Sequence, residues 1–414
     1  MVDQLDVDCC VVGGGPAGVM AGLLFARAGA KTVVLEKHGD FLRDFRGDTV
    51  HPSTLELMHE LGVLEAFLAR PHQKLSRLSA RFGDELVHLA DFSHCDTTCK
   101  FIALMPQWHF LDFLNSVAGP LPTYQLRQSA EVTDLIFDGD RVAGVHAETP
   151  AGPLEVRAKV VIGADGRGSR VRERAGFEVE DIGAPIDVLW FKVPRPEGFH
   201  EEEPLFNMNK GSVVITIDRG DYFQCAFVIP KGAAEEVKGR GLEHFRSVVV
   251  TAAPHLAGLI DAVIDLNAVK LLTVTVDRLK VWSRPGLLMI GDSAHAMSPI
   301  GGVGINLAVQ DAVAAANLLA GPLAAGENVD PLLPKLRERR LWPIKATQFV
   351  QVQAQNRLIA PALETSRPSK PPLPARLASR MPFLQHRLAS VIGVGVLPEH
   401  IHSPEKYPVS TKAE

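Results

Sequence analysis

The sequence predicts an α/β protein: a parallel, helix-covered sheet carrying an inserted antiparallel sheet and a helical C-terminal region. Three observations predict it. An apolar strand at the start of the chain runs into a glycine turn, a small-residue helix and a second strand. From about Pro185 to Leu279 the pattern shifts to short strands separated by turn residues. After Leu287 it returns to a buried strand and a long apolar helix.

The first strand is Asp6 to Val12, followed by a helix over Pro16 to Ala28 and a strand over Lys31 to Leu35 that ends at Glu36. Ser53 to Ala69 has helical periodicity, with Leu55, Met58, Leu61 and Leu64 as its apolar row. Gln107 to Val117 reads as a helix. Glu131 to Val145 and Leu154 to Ile162 read as strands around the Asp138-Gly139-Asp140 turn and a further turn near Gly152. The inserted region offers strands at Ile186 to Val193, Ser212 to Asp218 and Tyr222 to Ile229. Leu287 to Ile290 is a buried strand, and a helix follows from about Val303 to Leu319. Pro334 to Leu358 is a long helix with Pro343 as a kink or break, and Ser366 to Pro374 is a proline-rich linker.

A chain of 414 residues is long enough for one large core and a second, smaller one. Its net charge of -5 gives no reason to expect nucleic acid as a partner. Cys9 and Cys10 sit in an apolar strand and read as small buried hydrophobes. Cys95 and Cys99 have the spacing to share a helical face, but no second Cys/His pair has zinc-site spacing, so both read as free thiols and no metal is expected. With Cys225 the count is odd, which fits a reducing cytoplasm. Neither a signal peptide nor an uninterrupted apolar run of transmembrane length is expected.

The chemistry begins at Gly13-Gly14-Gly15-Pro16-Ala17-Gly18, a G-x-G-x-x-G pattern. Gly13 permits the tight turn, Gly15 lets the backbone approach a pyrophosphate, and Gly18 lets the helix pack close to the strand. The helix start supplies N–H groups and partial positive charge for phosphates. Glu36 ends the second strand 18 residues after Gly18, placed to accept hydrogen bonds from a ribose diol and to repel a 2′-phosphate. Strand, glycines, helix, strand and acid together mark a Rossmann-type dinucleotide site, without separating FAD from NAD.

Two distant motifs make that separation. One is Val160-Val161-Ile162-Gly163-Ala164-Asp165-Gly166, followed by Ser169 and Arg172. The other runs from Leu287 through Gly291-Asp292-Ser293-Ala294-His295 to Pro299-Ile300-Gly301-Gly302-Val303-Gly304-Ile305-Asn306. With these the sequence resembles the FAD-dependent aromatic hydroxylases, the group A flavoprotein monooxygenases that include para-hydroxybenzoate hydroxylase and the ubiquinone-pathway hydroxylases. The resemblance spans roughly Asp6 to Leu319, with three motifs in the family's order.

The resemblance implies a Rossmann-type FAD/NAD(P)-binding domain, an inserted antiparallel-sheet substrate domain and C-terminal helices. It implies a monooxygenase in which NADH or NADPH reduces FAD and O2 then forms a C4a-hydroperoxide that hydroxylates an aromatic or polycyclic small molecule. Asp292 is expected to accept from a ribityl hydroxyl, a group that nicotinamide dinucleotides lack. Pro299, Gly302, Val303, Gly304, Ile305 and Asn306 would bring backbone N–H groups and a helix start to the flavin pyrimidine, favouring the negatively charged reduced form. Asp165 is expected near the flavin and in NAD(P)H use, with a turn cap as the bland alternative. Arg46 would lie by the flavin or its ribityl chain, and is the one candidate for direct participation in the chemistry. Gln107 would meet the ribityl-phosphate region, and Lys37 and Val132 complete the cofactor set. His295 reads as structural. The period-two stripe Phe223, Cys225 and Phe227 reads as core, with substrate lining as a guess.

The expected division is an FAD-binding domain from 1–75, 105–184 and 280–325, a substrate domain from 76–104 and 185–279, and a helical region over 326–414. Alternatives are a flavin oxidoreductase without oxygen insertion, such as a dehydrogenase or a halogenase, or a non-catalytic binder on the same fold. The halogenase Trp-x-Trp-x-Ile-Pro signature is not matched by Trp190-Phe191-Lys192-Val193-Pro194. No second G-x-G-x-x-G serves NAD(P)H, which suits a cosubstrate that binds transiently. The apolar stretch Met381 to Pro398, with His386 and Arg387, is expected to cover the substrate domain or touch a membrane surface. The chain is expected to be a monomer or homodimer.

Overall fold

The computed structural model describes residues 3–42, 49–197, 206–365, 367 and 369–409. The opening βαβ unit forms as expected: β1 (Asp3–Val12), α1 (Pro16–Arg27) and β2 (Thr32–Leu35). β1 pairs in parallel with β2 on one side and with the strand Gly152–Gly163 on the other. Tyr124–Arg127 extends the sheet beyond β2, and Leu287–Met289 then Ser283–Arg284 extend it beyond Gly152–Gly163. The strands Glu131–Asp138 and Arg141–Thr149 hang from Gly152–Gly163 as an antiparallel ribbon.

Alternation along β1 explains why this sheet is covered on both faces. Cys9 and Val11 join a core with α1, the helix Gln107–Ala118 and the helix Gly304–Ala324. Cys10 and Val12 join another core with Val145, Trp282 and Ile344. The apolar helix Ile300–Ala324 has the length and composition to cross a membrane, yet 72% of its apolar window is buried in the protein. It is the central core helix here.

A second sheet has seven strands, in the order Lys270–Leu272, Ile186–Pro194, Tyr222–Pro230, Ser212–Asp218, Phe206–Asn209, Arg77–Phe82 and Glu85–Asp91. It is antiparallel except where Phe206–Asn209 meets Arg77–Phe82. One face packs on the helix Leu242–Ala252 through Phe245 and Val249. On the other, Trp190, Ile215 and Phe206 pack against a core around Leu78, Phe92 and Ile217, which Leu388, Ile392 and Val394 of the chain's C-terminal part also join.

Several expectations are corrected. The helix expected over Ser53 to Ala69 is two, Pro52–Glu60 and Leu64–Leu68, because Gly62 adopts φ +72°, which a helix interior does not allow. Cys95 and Cys99 share no helical face; they lie beyond the short 3-10 turn Phe92–His94, each buried and free, in different cores. Pro343 does not end its helix, which runs over Leu333–Ala354 into a π turn at Gln355–Ile359. The cost of one lost backbone bond is offset by burial of Leu336, Arg340, Ile344, Gln348 and Gln351 on both sides of the proline. The proline-rich linker already turns helical at Leu373.

Candidate active site

The site is assembled where three helix starts and two turns meet above the C-terminal ends of β1, Gly152–Gly163 and Leu287–Met289. Gly13 has φ +106°, and a Cβ there would lie 2.4 Å from the Ala164 carbonyl oxygen. A Cβ on Gly18 would lie 1.8 Å from the Gly13 oxygen. By contrast, a Cβ on Gly15 would meet nothing within 4 Å. The turn thus needs two of its glycines for its own packing, while the space at Gly15 opens on no protein atom. That space lies over the start of α1, where Pro16 and Ala17 begin the helix and no acidic residue occupies the first turn. It is a cradle shaped for a phosphate.

Glu36 is buried, with Oε2 accepting from the Gly14 N–H at 2.8 Å and Oε1 from the His38 N–H at 3.0 Å. Through these two bonds it braces the turn. Sequence reasoning passed over Gly14, where a Cβ would come 2.9 Å from Glu36 Cβ. The run of three glycines was the available signal. Lys37 is exposed, and Val132 is buried in the core with Val33 and Leu35.

The Asp165 turn leans on Gly13. Its carboxylate accepts from Ser169 Oγ at 2.5 Å and from the Val171 N–H at 3.1 Å. Burial pushes this carboxyl up, against the pull of those hydrogen bonds. Both oxygens are therefore engaged in shaping the turn before Arg170–Arg174, and Ser169 caps that helix through the Arg172 N–H at 2.9 Å.

Asp292 lies in the 3-10 turn Gly291–Ser293, half-buried, with Oδ2 accepting from Arg167 Nε at 3.0 Å. A Cβ on Gly291 would sit 3.1 Å from Ala17 Cβ and 3.3 Å from Ala308 Cβ, so this turn is wedged between α1 and the helix Gly304–Ala324. Beneath it lies a buried hub. Asp311 accepts from the Gly291 N–H at 3.0 Å, from His295 Nε2 at 2.6 Å and from Arg340 Nε at 3.0 Å. Burial raises the Asp311 carboxyl, but His295 and the Arg340 guanidinium outweigh it and hold it below the usual range. His295, 1% exposed and beside the Trp282 ring, is part of this foundation.

Pro299, Gly302, Val303 and Gly304 are half-buried at the start of the long helix, and a Cβ on Gly304 would meet nothing within 4 Å. Thr49 Oγ1 donates to the Gly302 carbonyl at 2.7 Å. The Asn306 side chain accepts from the His51 N–H at 3.1 Å and from Thr54 Oγ1 at 2.6 Å, and Ile305 is in the core. These two side chains anchor the turn and leave its backbone as the presenting surface. Gln107, half-buried, is the first residue of its helix. Arg46 lies outside the described residues.

One substrate guess is corrected. Phe223, Cys225 and Phe227 point into the core under Leu242–Ala252, packed with Phe191, Phe245 and Val249. Period two places the stripe on one face, but only the tertiary packing shows which face the helix covers.

A phosphate cradle at one helix start, a Gly-Asp turn beside it and a second glycine turn at another helix start define a dinucleotide-binding oxidoreductase fold. The model of the FAD binding domain family matches residues 6–349. The chain is 34% identical over 386 residues to 6-methylpretetramide 4-monooxygenase of Streptomyces rimosus, covering 92% of this chain and 90% of that protein. It is 29% identical to a 12-dehydrotetracycline 5-monooxygenase/anhydrotetracycline 6-monooxygenase of the same species, over 86% of this chain and 70% of the relative. Among solved structures, the OxyS anhydrotetracycline hydroxylase from Streptomyces rimosus matches with TM-score 0.72 and 25% identity, over 94% of this chain and 76% of that one. The PqsL probable FAD-dependent monooxygenase from Pseudomonas aeruginosa shares the fold, with TM-score 0.74 and 23% identity over 87% and 100%. The chain belongs to the FAD-dependent aromatic hydroxylase family: it is a monooxygenase with FAD as cofactor and NAD(P)H as cosubstrate.

Proposed function

We propose that this monooxygenase hydroxylates a fused-ring phenolic compound of the kind named for its tetracycline-pathway relatives. The observation that carries the reading is a wall of half-buried apolar side chains. Trp190, Phe206 and Ile215 stand on the sheet face opposite the helix Leu242–Ala252, with Ile300 at the glycine turn and Leu388 and Ile392 across from them. Six large apolar groups that stay half-buried around one sheet face suit a flat, apolar ligand.

In this reading the FAD-binding domain draws on 1–75, 105–184 and 280–325, and the substrate domain on 76–104 and 185–279. Gly13, Gly15, Pro16, Ala17 and Gly18 hold the pyrophosphate, and Glu36 holds the adenosine ribose with Lys37 and Val132 nearby. Gln107 serves the ribityl-phosphate region, Arg46 is assigned to the flavin or its ribityl chain, and Asp292 takes a ribityl hydroxyl. Asp165 shapes the turn beside Gly13. The backbone from Pro299 through Gly304, anchored by Ile305 and Asn306, faces the flavin pyrimidine. FAD held there would supply the O2 activation, one oxygen atom entering the substrate and the other leaving as water with NAD(P)H as reductant. The chain's part is to orient the aromatic ring, exclude water at the apolar wall and stabilise negative charge at the helix start of Gly304–Ala324.

The test is a panel of fused-ring and single-ring phenols scored by NAD(P)H oxidation and product mass. A fused-ring member should raise oxidation at least tenfold, about 1.4 kcal/mol of barrier, and yield a product one oxygen heavier. Anaerobic stopped-flow reduction should quicken likewise with that compound. Stimulation by single-ring phenols alone would overturn the substrate class.

The same reading places the enzyme in the cytoplasm, supported by five free, buried thiols, and takes it as a monomer or homodimer. It also includes a peripheral surface contact through the C-terminal helices, where Leu373, Met381 and Phe383 are exposed beside Arg376, Arg380 and Arg387.

A further inference from the structure

We propose that Arg167 is a positioning residue for Asp292, and through it for the cofactor's sugar-alcohol chain. The inference rests on the cofactor role assigned to Asp292 above. Arg167 lies in the loop after Gly152–Gly163, between the Asp165-Gly166 pair and the capping Ser169. Its guanidinium spans two distant segments of the site. Nε donates to Asp292 Oδ2 at 3.0 Å, and Nη2 donates to the Met297 carbonyl at 3.2 Å. One planar fork thus fixes both ends of the loop that leads from the Gly-Asp turn to the Pro299–Gly304 turn.

The two oxygens of the Asp292 carboxylate have different surroundings. Oδ2 is taken by Arg167, while Oδ1 receives no hydrogen bond among the described residues. A carboxylate free to rotate presents two equivalent oxygens. One pinned by a guanidinium presents a single oxygen in a set direction, so less rotational freedom is lost when a hydroxyl binds. The loop is itself held in place, because Arg172 Nη2 donates to the Arg167 carbonyl at 2.6 Å and Arg172 Nη1 lies 3.6 Å from Asp277. Arg167 Nη1 is buried and has no partner among the described residues, so one donor of the fork remains for a bound acceptor in the cleft. The pair is one-third exposed on each side, which makes the ion pair itself a minor contribution to folding. Its value is orientation, and its loss should appear in cofactor binding rather than in stability.

The experiment is a double-mutant cycle on FAD affinity. Apoprotein prepared from the holoenzyme is titrated with FAD by flavin fluorescence for wild type, Arg167→Gln, Asp292→Asn and the double variant, with apoprotein melting temperatures alongside. Arg167→Gln and Asp292→Asn should each weaken FAD binding about tenfold with melting temperatures unchanged. The double variant should be no more than about twofold weaker than the worse single, because each change removes the same oriented contact. Arg167→Lys, which keeps the charge and loses the fork, should recover only part of the affinity. Multiplying losses, or wild-type affinity in Arg167→Gln, would overturn the proposal. Wild-type affinity in Asp292→Asn would instead remove the cofactor role assigned to Asp292. Equal melting losses and equal affinity losses in all variants would make Arg167 a structural residue only.

Discussion

Single atoms decide what each glycine of the first turn does. Gly18 is required by the protein, because a methyl group there would sit 1.8 Å from the Gly13 carbonyl oxygen, a backbone atom that cannot step aside. Gly15 has φ -76°, which any residue adopts, and free space around it. Its side-chain-free state answers to something other than the polypeptide. Gly15→Ala is therefore expected to fold with an apoprotein melting temperature within about 1 °C of wild type and to bind FAD at least tenfold more weakly, a change of about 1.4 kcal/mol. Gly18→Ala is expected to lower the melting temperature of the apoprotein itself, by about 1 °C for each kcal/mol lost in a chain of this length. Thermal melts of flavin-free protein with parallel FAD titrations separate the two. A stability loss in Gly15→Ala as large as that in Gly18→Ala would mean that the cradle is a packing feature.

Elements are joined to the site by the buried hub. Asp311 comes from the helix Gly304–Ala324 and Arg340 from the helix Leu333–Ala354. Glu399 comes from the last stretch of chain, with its carboxylate 3.6 Å from Arg340 Nη1 and doubly bonded to Arg339 at 2.7 and 2.6 Å. Its backbone N–H also donates to Gln310 Oε1. The C-terminal tail is thus one support of the Gly291 turn, acting through Arg340 and Asp311. Arg340 is 1% exposed, and Glu399 is 4% exposed. Truncation of one member of a buried charge pair costs roughly 3–5 kcal/mol when it leaves the partner without a counter-charge. Asp311 still pairs with Arg340, so Glu399→Ala is expected to lose about 2–3 kcal/mol, less than a fully orphaned charge would cost. Urea unfolding should show this as a lower midpoint with an unchanged slope. A loss under about 0.5 kcal/mol would show that the tail is not coupled to the hub, as for an ordinary exposed pair.

Across the whole molecule, His51 ties together parts that are far apart in sequence. Its Nδ1–H donates to the Ile392 carbonyl at 2.8 Å, and its backbone N–H donates to Asn306 Oδ1 at 3.1 Å. The ring is 0% exposed, and burial lowers its pKa to about 4, opposed by the backbone hydrogen bonds to Ile392 and Gly301. Between that value and the ordinary one near 6.5, the unfolded chain binds a proton that the folded chain refuses. Stability is then present in full above about pH 6.5 and falls as pH drops toward 4. From pH 6.5 to 5 the single group accounts for about 2 kcal/mol. His255, lowered to about 4 by burial and then by Arg81, adds to the same slope with less weight because it is half-exposed. Unfolding free energies at several pH values for wild type and His51→Asn, which keeps a donor for Ile392, are the check. The variant's slope between pH 6.5 and 5 should be about 1–2 kcal/mol shallower. Parallel curves would show that His51 does not carry the acid sensitivity.

The opening βαβ unit was legible in the sequence, because its parts are local. A glycine turn, the helix it feeds and the acid at the next strand end lie within 13–36, and backbone geometry in so short a span follows from residue type alone. The Gly-Asp turn and the helix after it were legible for the same reason. What the sequence left open were facts about which surfaces meet. The stripe Phe223, Cys225 and Phe227 had a period that fixed its common face, but only the helix Leu242–Ala252 decided that this face is core. That left Trp190 and Ile215 on the opposite face. Asp165 had the composition of a ligand contact and of a turn cap, and only the fold brings its carboxylate onto Ser169 and Val171. Arg167 and Glu399 carried no signal, because their partners lie 125 and 60 residues away. Short-range conformational preference is written in neighbouring residues, whereas pairing across the chain exists only once folding has brought distant segments within hydrogen-bond reach.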